Sequence, residues 1–237
     1  MKALLLAAGL GTRLRPLTND IPKCLVPVRG RPLLEYWLRL LAAADVEAMV
    51  NLHYFADRVR EFLERSSFKD KVTLVYEAKL LGTAGTLLKN CAFFGNEPVL
   101  LVHADNLSRF DIKAFVARHD QRPIGCEMTM MTYSTPTPRS CGIVELDDAG
   151  VVVRFHEKVA NPPGNLANGA VYIIEPSIFD FLQRLKNEVI DFSTEVLPHY
   201  MGRIYTFHND VYHRDIGTME SYLQAEREFS GIAEDLL

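Results

Sequence analysis

An apolar run at the amino end, Ala3-Leu4-Leu5-Leu6-Ala7-Ala8, breaks directly into Gly9-Leu10-Gly11-Thr12-Arg13-Leu14-Arg15-Pro16-Leu17-Thr18, and this junction constrains the fold more than any other stretch. A continuous apolar run of that length reads as a buried strand, parallel to its neighbours and covered by helices on both faces. Glycines let backbone N–H groups turn toward a ligand where a Cβ would clash. A row of such groups, from Ala8 and Gly9 through Gly11 and Thr12, forms a concave anion site. Arg13 adds a forked cation matched to phosphate oxygens. This unit points to a nucleoside polyphosphate, with a plain tight turn as the alternative. The spacing belongs to neither of the two commonest phosphate loops. Leu14 stands where a dinucleotide fingerprint has its third glycine, and no Gly-Lys-Ser/Thr ending follows.

Strand and helix signals alternate through the first half, as in βα units that build a parallel sheet. Helical spacing covers Leu33 to Ala44, Ala56 to Arg65 and Thr83 to Asn90, and strands are expected at 49–52, 72–76 and 99–102. The second half is β-rich. Segments 127–132, 142–146, 151–156 and 170–174 read as strands, with Asp147-Asp148-Ala149-Gly150 as a hairpin turn. Ser177 to Leu185 and Met219 to Phe229 are expected helices, and 204–207 and 211–213 short strands. The expected class is α/β, a single domain over 1–237 with one mixed sheet. A nucleotide would occupy the first half, about 1–110, and the other substrate the second, about 111–237.

The 237 residues carry a net charge of −4, so no global field favours nucleic acid or an anionic membrane. No apolar run approaches the ~20 residues of a membrane span, and Gly-Thr-Arg follows the first run too soon for a signal peptide. The four cysteines, Cys24, Cys91, Cys126 and Cys141, form no C-x-x-C pair, so neither zinc nor a disulfide framework is indicated and a cytoplasmic location is expected. His53, His119, His199 and His213 show no ligand spacing, and no Gly-x-Ser-x-Gly elbow occurs.

Several residues beyond the loop are candidates for chemistry. Lys23, on a loop stiffened by Pro22 and Pro27, is placed to meet the same polyphosphate, or else is a solvated surface lysine. In Leu81-Gly82-Thr83-Ala84-Gly85, Thr83 is a candidate helix cap, and the small residues leave room for a flat ring or simply make a tight turn. Glu77 just upstream suits a base edge with adjacent N–H donors, such as guanine; the alternative is a solvated strand-end acid. Asp105, at the end of the fourth strand, is a candidate Mg²⁺ ligand, against a helix cap or loop acid. Asp215 is a second candidate, and only the fold can bring the two together. Glu157-Lys158 is otherwise a strand-edge ion pair.

Leu6-Ala7-Ala8-Gly9-x-Gly11-Thr12-Arg13-Leu14-x-Pro16-Leu17-Thr18, followed by Pro22-Lys23-x-Leu25-Val26-Pro27-Val28, resembles the signature of the sugar-1-phosphate nucleotidyltransferases. Leu81 to Gly85, Asp105, Phe155-His156-Glu157-Lys158-Val159, Asn168-Gly169-Ala170-Val171-Tyr172 and Asp215 extend the resemblance over nearly the whole chain. Three departures stand out: His103-Ala104 where glycine is common, Val159 for a proline and Met219 for another. The resemblance implies a nucleotide-diphospho-sugar transferase fold, a Rossmann-like, mostly parallel mixed sheet flanked by helices. It implies that Arg13, Lys23 and Asp105 carry catalysis and that Asp105 and Asp215 hold Mg²⁺. Ala8, Gly9, Gly11, Thr12, Arg13, Glu77, Gly82 and Thr83 would meet the nucleotide. Asn106, Gly142, Glu157, Lys158, Asn168 and Gly169 would meet the sugar phosphate.

The implied reaction joins a nucleoside triphosphate to a sugar 1-phosphate and releases pyrophosphate. GTP with a mannose- or heptose-type sugar is the first choice, on Glu77 and the Leu81–Gly85 loop. UTP or dTTP with a hexose or amino-sugar phosphate follows. A phosphocholine cytidylyltransferase, disfavoured by the same loop and by Glu157-Lys158, and a non-catalytic nucleotide-sugar sensor complete the alternatives. The long C-terminal extension of larger relatives is missing, so any homo-oligomer is expected to use the core domain.

Overall fold

The structure, a computed structural model, describes residues 1–229. Its class is the expected one, α/β with a mixed, mostly parallel sheet flanked by helices. The chain divides into two compact units of interleaved segments. One comprises Lys2–Leu80, Val102–Arg109 and the described residues 212–229; the other comprises Leu81–Leu101 and Phe110–Val211 with Met1. The expected halves map onto these units in part, since 81–101 group with the later segment and 212 onward with the earlier.

In the first unit, strand Lys2–Leu6 lies parallel to Ala48–Leu52, with Ala3 opposite Ala48, and Ala48–Leu52 lies parallel to Val72–Tyr76. Every residue of the middle strand is buried, which its nearly unbroken apolar run requires. Helix Leu33–Ala43 buries Leu33, Leu34, Trp37, Leu38 and Leu41, one face at helical spacing. Strands Asn106–Arg109 and Tyr212–Asp215 form an antiparallel ribbon. Leu14, Val26, Val28, Leu33, Leu107 and Ile216 share one apolar cluster, so the segment after the first strand is packed onto that ribbon.

In the second unit, five strands run in the order Ile204–His208, Met128–Ser134, Leu166–Ile174, Gly142–Leu146 and Val152–Glu157. Only the first pair is parallel. The hairpin turn forms as expected. Asp147 Oδ1 accepts from the N–H groups of Ala149 and Val151, and Gly150 takes a φ of +80° that favours glycine there.

Among the elements that the sequence pattern did not mark are a helix and a strand. Helix Ile112–Asp120 buries only Ile112, Phe115 and His119, a narrow stripe interrupted by charge. Its start is fixed instead by Asp111, whose Oδ1 accepts from the N–H groups of Lys113 and Ala114. Strand Asn106–Arg109 is buried at every position although three of its four residues are polar, so no apolar signal marks it. Among the described residues no helix is long and apolar enough to cross a membrane. Replacing Asp111 with alanine removes the cap of a marginally amphipathic helix. A loss of about 1 kcal/mol in urea denaturation is expected.

Candidate functional site

The glycine loop of the first unit is anchored at both ends. The Ala7 N–H donates to Asn51 Oδ1 at 2.7 Å, and the Asn51 amide donates on to Glu77 Oε1 at 3.3 Å. Asn51 and Glu77 are buried, so Glu77 is not the solvated acid its position at a strand end also allowed. The Glu77 carbonyl accepts from His53 Nδ1 at 2.7 Å. At the far end, Gly11 adopts a φ of +65°, and a Cβ there would lie 3.0 Å from Thr18 Cγ2 and 3.1 Å from Lys23 Cβ. Its carbonyl accepts from the Thr18 hydroxyl at 2.7 Å and from the Leu14 N–H at 3.0 Å. Between these anchors Gly9, Leu10 and Thr12 are exposed, while Ala8 is buried. The turn Thr12–Leu14 buries Leu14 and leaves Arg13 exposed. Among the described residues the Arg13 guanidinium has no ion-pair partner.

Lys23 opens a second turn, Lys23–Leu25, directly after Pro22. Its side chain is buried, only 8% exposed, with Nζ 2.6 Å from Asp105 Oδ2 and 3.6 Å from Asp215 Oδ1. It is therefore not a surface lysine. The ribbon register explains how two carboxylates distant in sequence meet. Asp215 pairs with Asn106, and the Ile216 N–H donates to the Asp105 carbonyl at 3.2 Å. Burial would raise the Asp105 carboxyl, but the Lys23 ammonium and the charge at His103 outweigh it and hold its pKa below the usual value. A Cβ on Gly217 would meet Asp215 Oδ2 at 2.7 Å and Arg13 Nη2 at 3.2 Å, so both side chains lean over that glycine. Arg13, Lys23, Asp105 and Asp215 thus converge around one spot. Asn106 is buried beside them, its carbonyl accepting from Trp37 Nε1 at 2.8 Å. His213 Nδ1 lies 2.7 Å from Ser108 Oγ, and burial pushes its pKa down to about 3.

No cluster of three or more metal-ligating side chains occurs among the described residues. The Asp105 and Asp215 side chains are 34% and 54% exposed, leaving oxygens open to solvent. Such a donor set suits a hard dication that keeps waters and takes further oxygens from a phosphate.

The remaining candidates lie in the second unit. Helix Gly82–Lys89 starts at Leu81 with no side-chain cap, so Thr83 does not cap it. The Thr83 hydroxyl instead accepts from the Phe192 N–H at 2.7 Å. The glycines of this loop are spent on a neighbouring segment. A Cβ on Gly82 would collide with the Ile190 carbonyl, and one on Gly85 would lie 2.7 Å from the Glu188 carbonyl.

Gly142 pairs with Glu157, and a Cβ on Gly142 would sit 2.6 Å from the Phe155 ring and 2.8 Å from Glu157 Oε2. Lys158 Nζ is 3.1 Å from Glu157 Oε1, yet its side chain is 64% exposed. An ion pair so open to water holds little, leaving the ammonium free to exchange for another anion. Asn168 donates to Tyr172 Oη at 2.6 Å and accepts from the Ala170 N–H at 2.9 Å. Tyr172 is fully buried; burial, with a contribution from the Glu157 charge, raises its pKa. Lys158 and Ala170 hold left-handed φ values of +49° and +51°, a strain that falls directly after Glu157 and directly after Asn168-Gly169.

Asn51, Thr18, Tyr172 and Gly217 are structural participants to which the motif reading gave no role, although Thr18 and Tyr172 stand inside quoted motifs. Asn51 had a signal, an amide inside the apolar run Met49-Val50-Asn51-Leu52. His119 bears out the satisfied-core reading of the histidines, lying 2.8 Å from Thr129 Oγ1 and 3.0 Å from Glu175 Oε1.

Comparison with known proteins follows this geometry. A family profile described as nucleotidyl transferase matches residues 2–230. A mannose-1-phosphate guanylyltransferase of Mycobacterium tuberculosis is 29% identical over 98% of this chain and 65% of its own length. The chain spans about half to two-thirds of the length of the curated relatives it matches. Among solved structures, a candidate glucose-1-phosphate thymidylyltransferase from Bacillus anthracis, complexed with sucrose, superposes with a TM-score of 0.85 at 22% identity, covering 96% of this chain and 94% of the other. HddC from Yersinia pseudotuberculosis, complexed with GMP-PN, gives 0.80 at 25% identity, covering 96% and 99%.

Asn51→Leu strands the Ala7 N–H and removes a partner of Glu77; a loss of about 1–3 kcal/mol in urea denaturation is expected. His213 is neutral in the fold, with a pKa near 3 against 6.5 when unfolded. A depressed native pKa gives stability that is complete above about pH 6.5 and drains as the pH falls toward 3. Denaturation in EDTA should lose about 3 kcal/mol between pH 7 and pH 4 through this group, and His213→Asn should flatten that slope.

Proposed function

The chain belongs to the nucleotidyl transferase family, matched over residues 2–230, and from that premise we propose that it joins a nucleoside triphosphate to a sugar 1-phosphate. The observation that carries the reading is the convergence of Arg13, Lys23, Asp105 and Asp215 beside Gly11 and Gly217. An oxygen of the sugar phosphate attacks the α-phosphorus. The bond from that phosphorus to the bridging oxygen breaks, and pyrophosphate leaves with the electron pair. The substrate brings its own anionic nucleophile, so the protein needs no Ser or Cys. It must instead align two mutually repelling anions and balance their charge.

In this reading Arg13 and Lys23 bind the triphosphate oxygens. The N–H groups of the Gly9–Thr12 loop cradle the same anion, and Glu77, Gly82 and Thr83 belong to the base side. Lys158 takes the phosphate of the second substrate; Asn106, Gly142, Glu157, Asn168 and Gly169 take its sugar. Asp105 and Asp215 hold Mg²⁺, which when bound supplies Lewis-acid polarisation of the α-phosphate. The preferred nucleotide is GTP, with a mannose- or heptose-type sugar. Glu77, the Leu81–Gly85 loop, and the guanylyltransferase and GMP-PN-bound relatives support this choice. UTP or dTTP is the second reading, on the thymidylyltransferase likeness. A cytoplasmic location, with reduced cysteines, fits both.

A grid of nucleoside triphosphates against sugar 1-phosphates, scored by pyrophosphate release, decides the substrates. Signal only with CTP and choline phosphate, or product binding without Mg²⁺-dependent turnover in any pair, overturns the reading. Arg13→Ala, which removes an exposed cation, should leave the melting temperature unchanged and slow pyrophosphate release roughly 10²–10³-fold. Asp105→Ala should slow it as much and also destabilise the fold, since it strands the buried Lys23.

A further inference from the structure

We propose that Lys23 is the resident counter-cation of the Asp105–Asp215 pair, and that a divalent ion displaces its ammonium from those carboxylates. The proposal rests on the reading of Asp105 and Asp215 as metal ligands.

The geometry is that of a substitution. The Lys23 ammonium hydrogen-bonds an oxygen of Asp105 at 2.6 Å and lies within ion-pair reach of an oxygen of Asp215 at 3.6 Å, which is where a cation shared by both would sit. Without it, two carboxylates held together by the ribbon register would repel each other. With it, a dication entering the same pair meets a fixed positive charge at close range, and like charges in a partly dry site repel strongly. Both cations at full contact is the arrangement electrostatics disfavours most.

The backbone of Lys23 cannot retreat. Pro22 precedes it, its turn closes with the Val26 N–H on the Lys23 carbonyl, and its Cβ lies against Gly11. Only the distal methylenes and Nζ can swing. The ammonium starts beside the glycine loop, so a released Nζ finds its new partners among the oxygens of a bound polyphosphate. Metal binding and the lysine's hold on phosphate are thereby coupled. The metal-free protein keeps Lys23 on its own carboxylates, and arrival of the dication frees it for the nucleotide.

Mn²⁺ titration followed by electron paramagnetic resonance, without nucleotide, tests this on the full chain. Lys23→Met and Lys23→Gln should each bind Mn²⁺ at least tenfold more tightly than wild type. They should also melt lower in EDTA and gain more from Mg²⁺ than wild type does. Equal or weaker Mn²⁺ binding by variants with native circular dichroism overturns the proposal, because Lys23 would then assist the metal or ignore it. Asp105→Asn serves as the control. If it binds Mn²⁺ as well as wild type, the metal assignment itself falls, and this proposal with it. If it loses Mn²⁺ while the lysine variants show no gain, only the proposal falls. The wild-type protein gives an independent answer should both lysine variants fail to fold. A slowly exchanging Lys23 ammonium resonance in ¹⁵N spectra should vanish on saturation with Mg²⁺, and its persistence overturns the displacement.

Discussion

A buried ammonium shared between two carboxylates underlies the geometry of the first unit. Lys23 has lost most of its hydration, and a charge in that position is tolerable only when paired. The pairing restricts its surroundings. The carboxylates must come from a strand end and a ribbon end whose register sets Asp215 against Asn106. Gly11 must lack a side chain because Thr18 and the Lys23 stem crowd it. Asp215 and Arg13 lean across Gly217, so a side chain there would push both from their present positions. An ion pair of this kind is weak support for stability, since two apolar residues could replace it at little loss. Two cations, Arg13 and Lys23, thus stand against two carboxylates at one spot.

The first thirty residues were legible because their constraints are local. An apolar run followed by closely spaced glycines admits few conformations, and the observed strand, Lys2–Leu6, ends with Ala7 and Ala8 between it and Gly9. The parallel strands Ala48–Leu52 and Val72–Tyr76 and the helix between them were equally readable from periodicity. The meeting of Asp105 with Asp215 was not, since it depends on a ribbon strand whose polar residues, Asn106, Ser108 and Arg109, conceal its burial. For Lys23 the residue pattern left a phosphate contact and a solvated surface position both open, because its partners lie far along the chain.

The motifs proposed to meet the sugar show the opposite balance. Glu157-Lys158 and Asn168-Gly169 were visible as patterns, whereas their backbone was not. Left-handed conformations at Lys158 and Ala170 and the irregular register between Asn168 and Tyr172 bend this region away from ideal strands. Such distortion costs of order 1–3 kcal/mol per residue and survives where neighbours over-determine it. Here the Asn168–Tyr172 hydrogen bond and the collar of Phe155 and Glu157 around Gly142 supply that determination.

The loop Leu81–Gly85 presses its two glycines against the carbonyls of Glu188 and Ile190, and Thr83 is tied to Phe192. Its shape is therefore moulded by a remote stretch that carries no recognisable signature. Relatives with an identical Leu-Gly-Thr-Ala-Gly but a different partner segment can present that pentapeptide at another angle. On the proposed reading, in which this loop faces the base, the determinants of base preference are split between a conspicuous motif and an anonymous brace, and changing the brace alone offers a route to altered nucleotide choice with the motif intact.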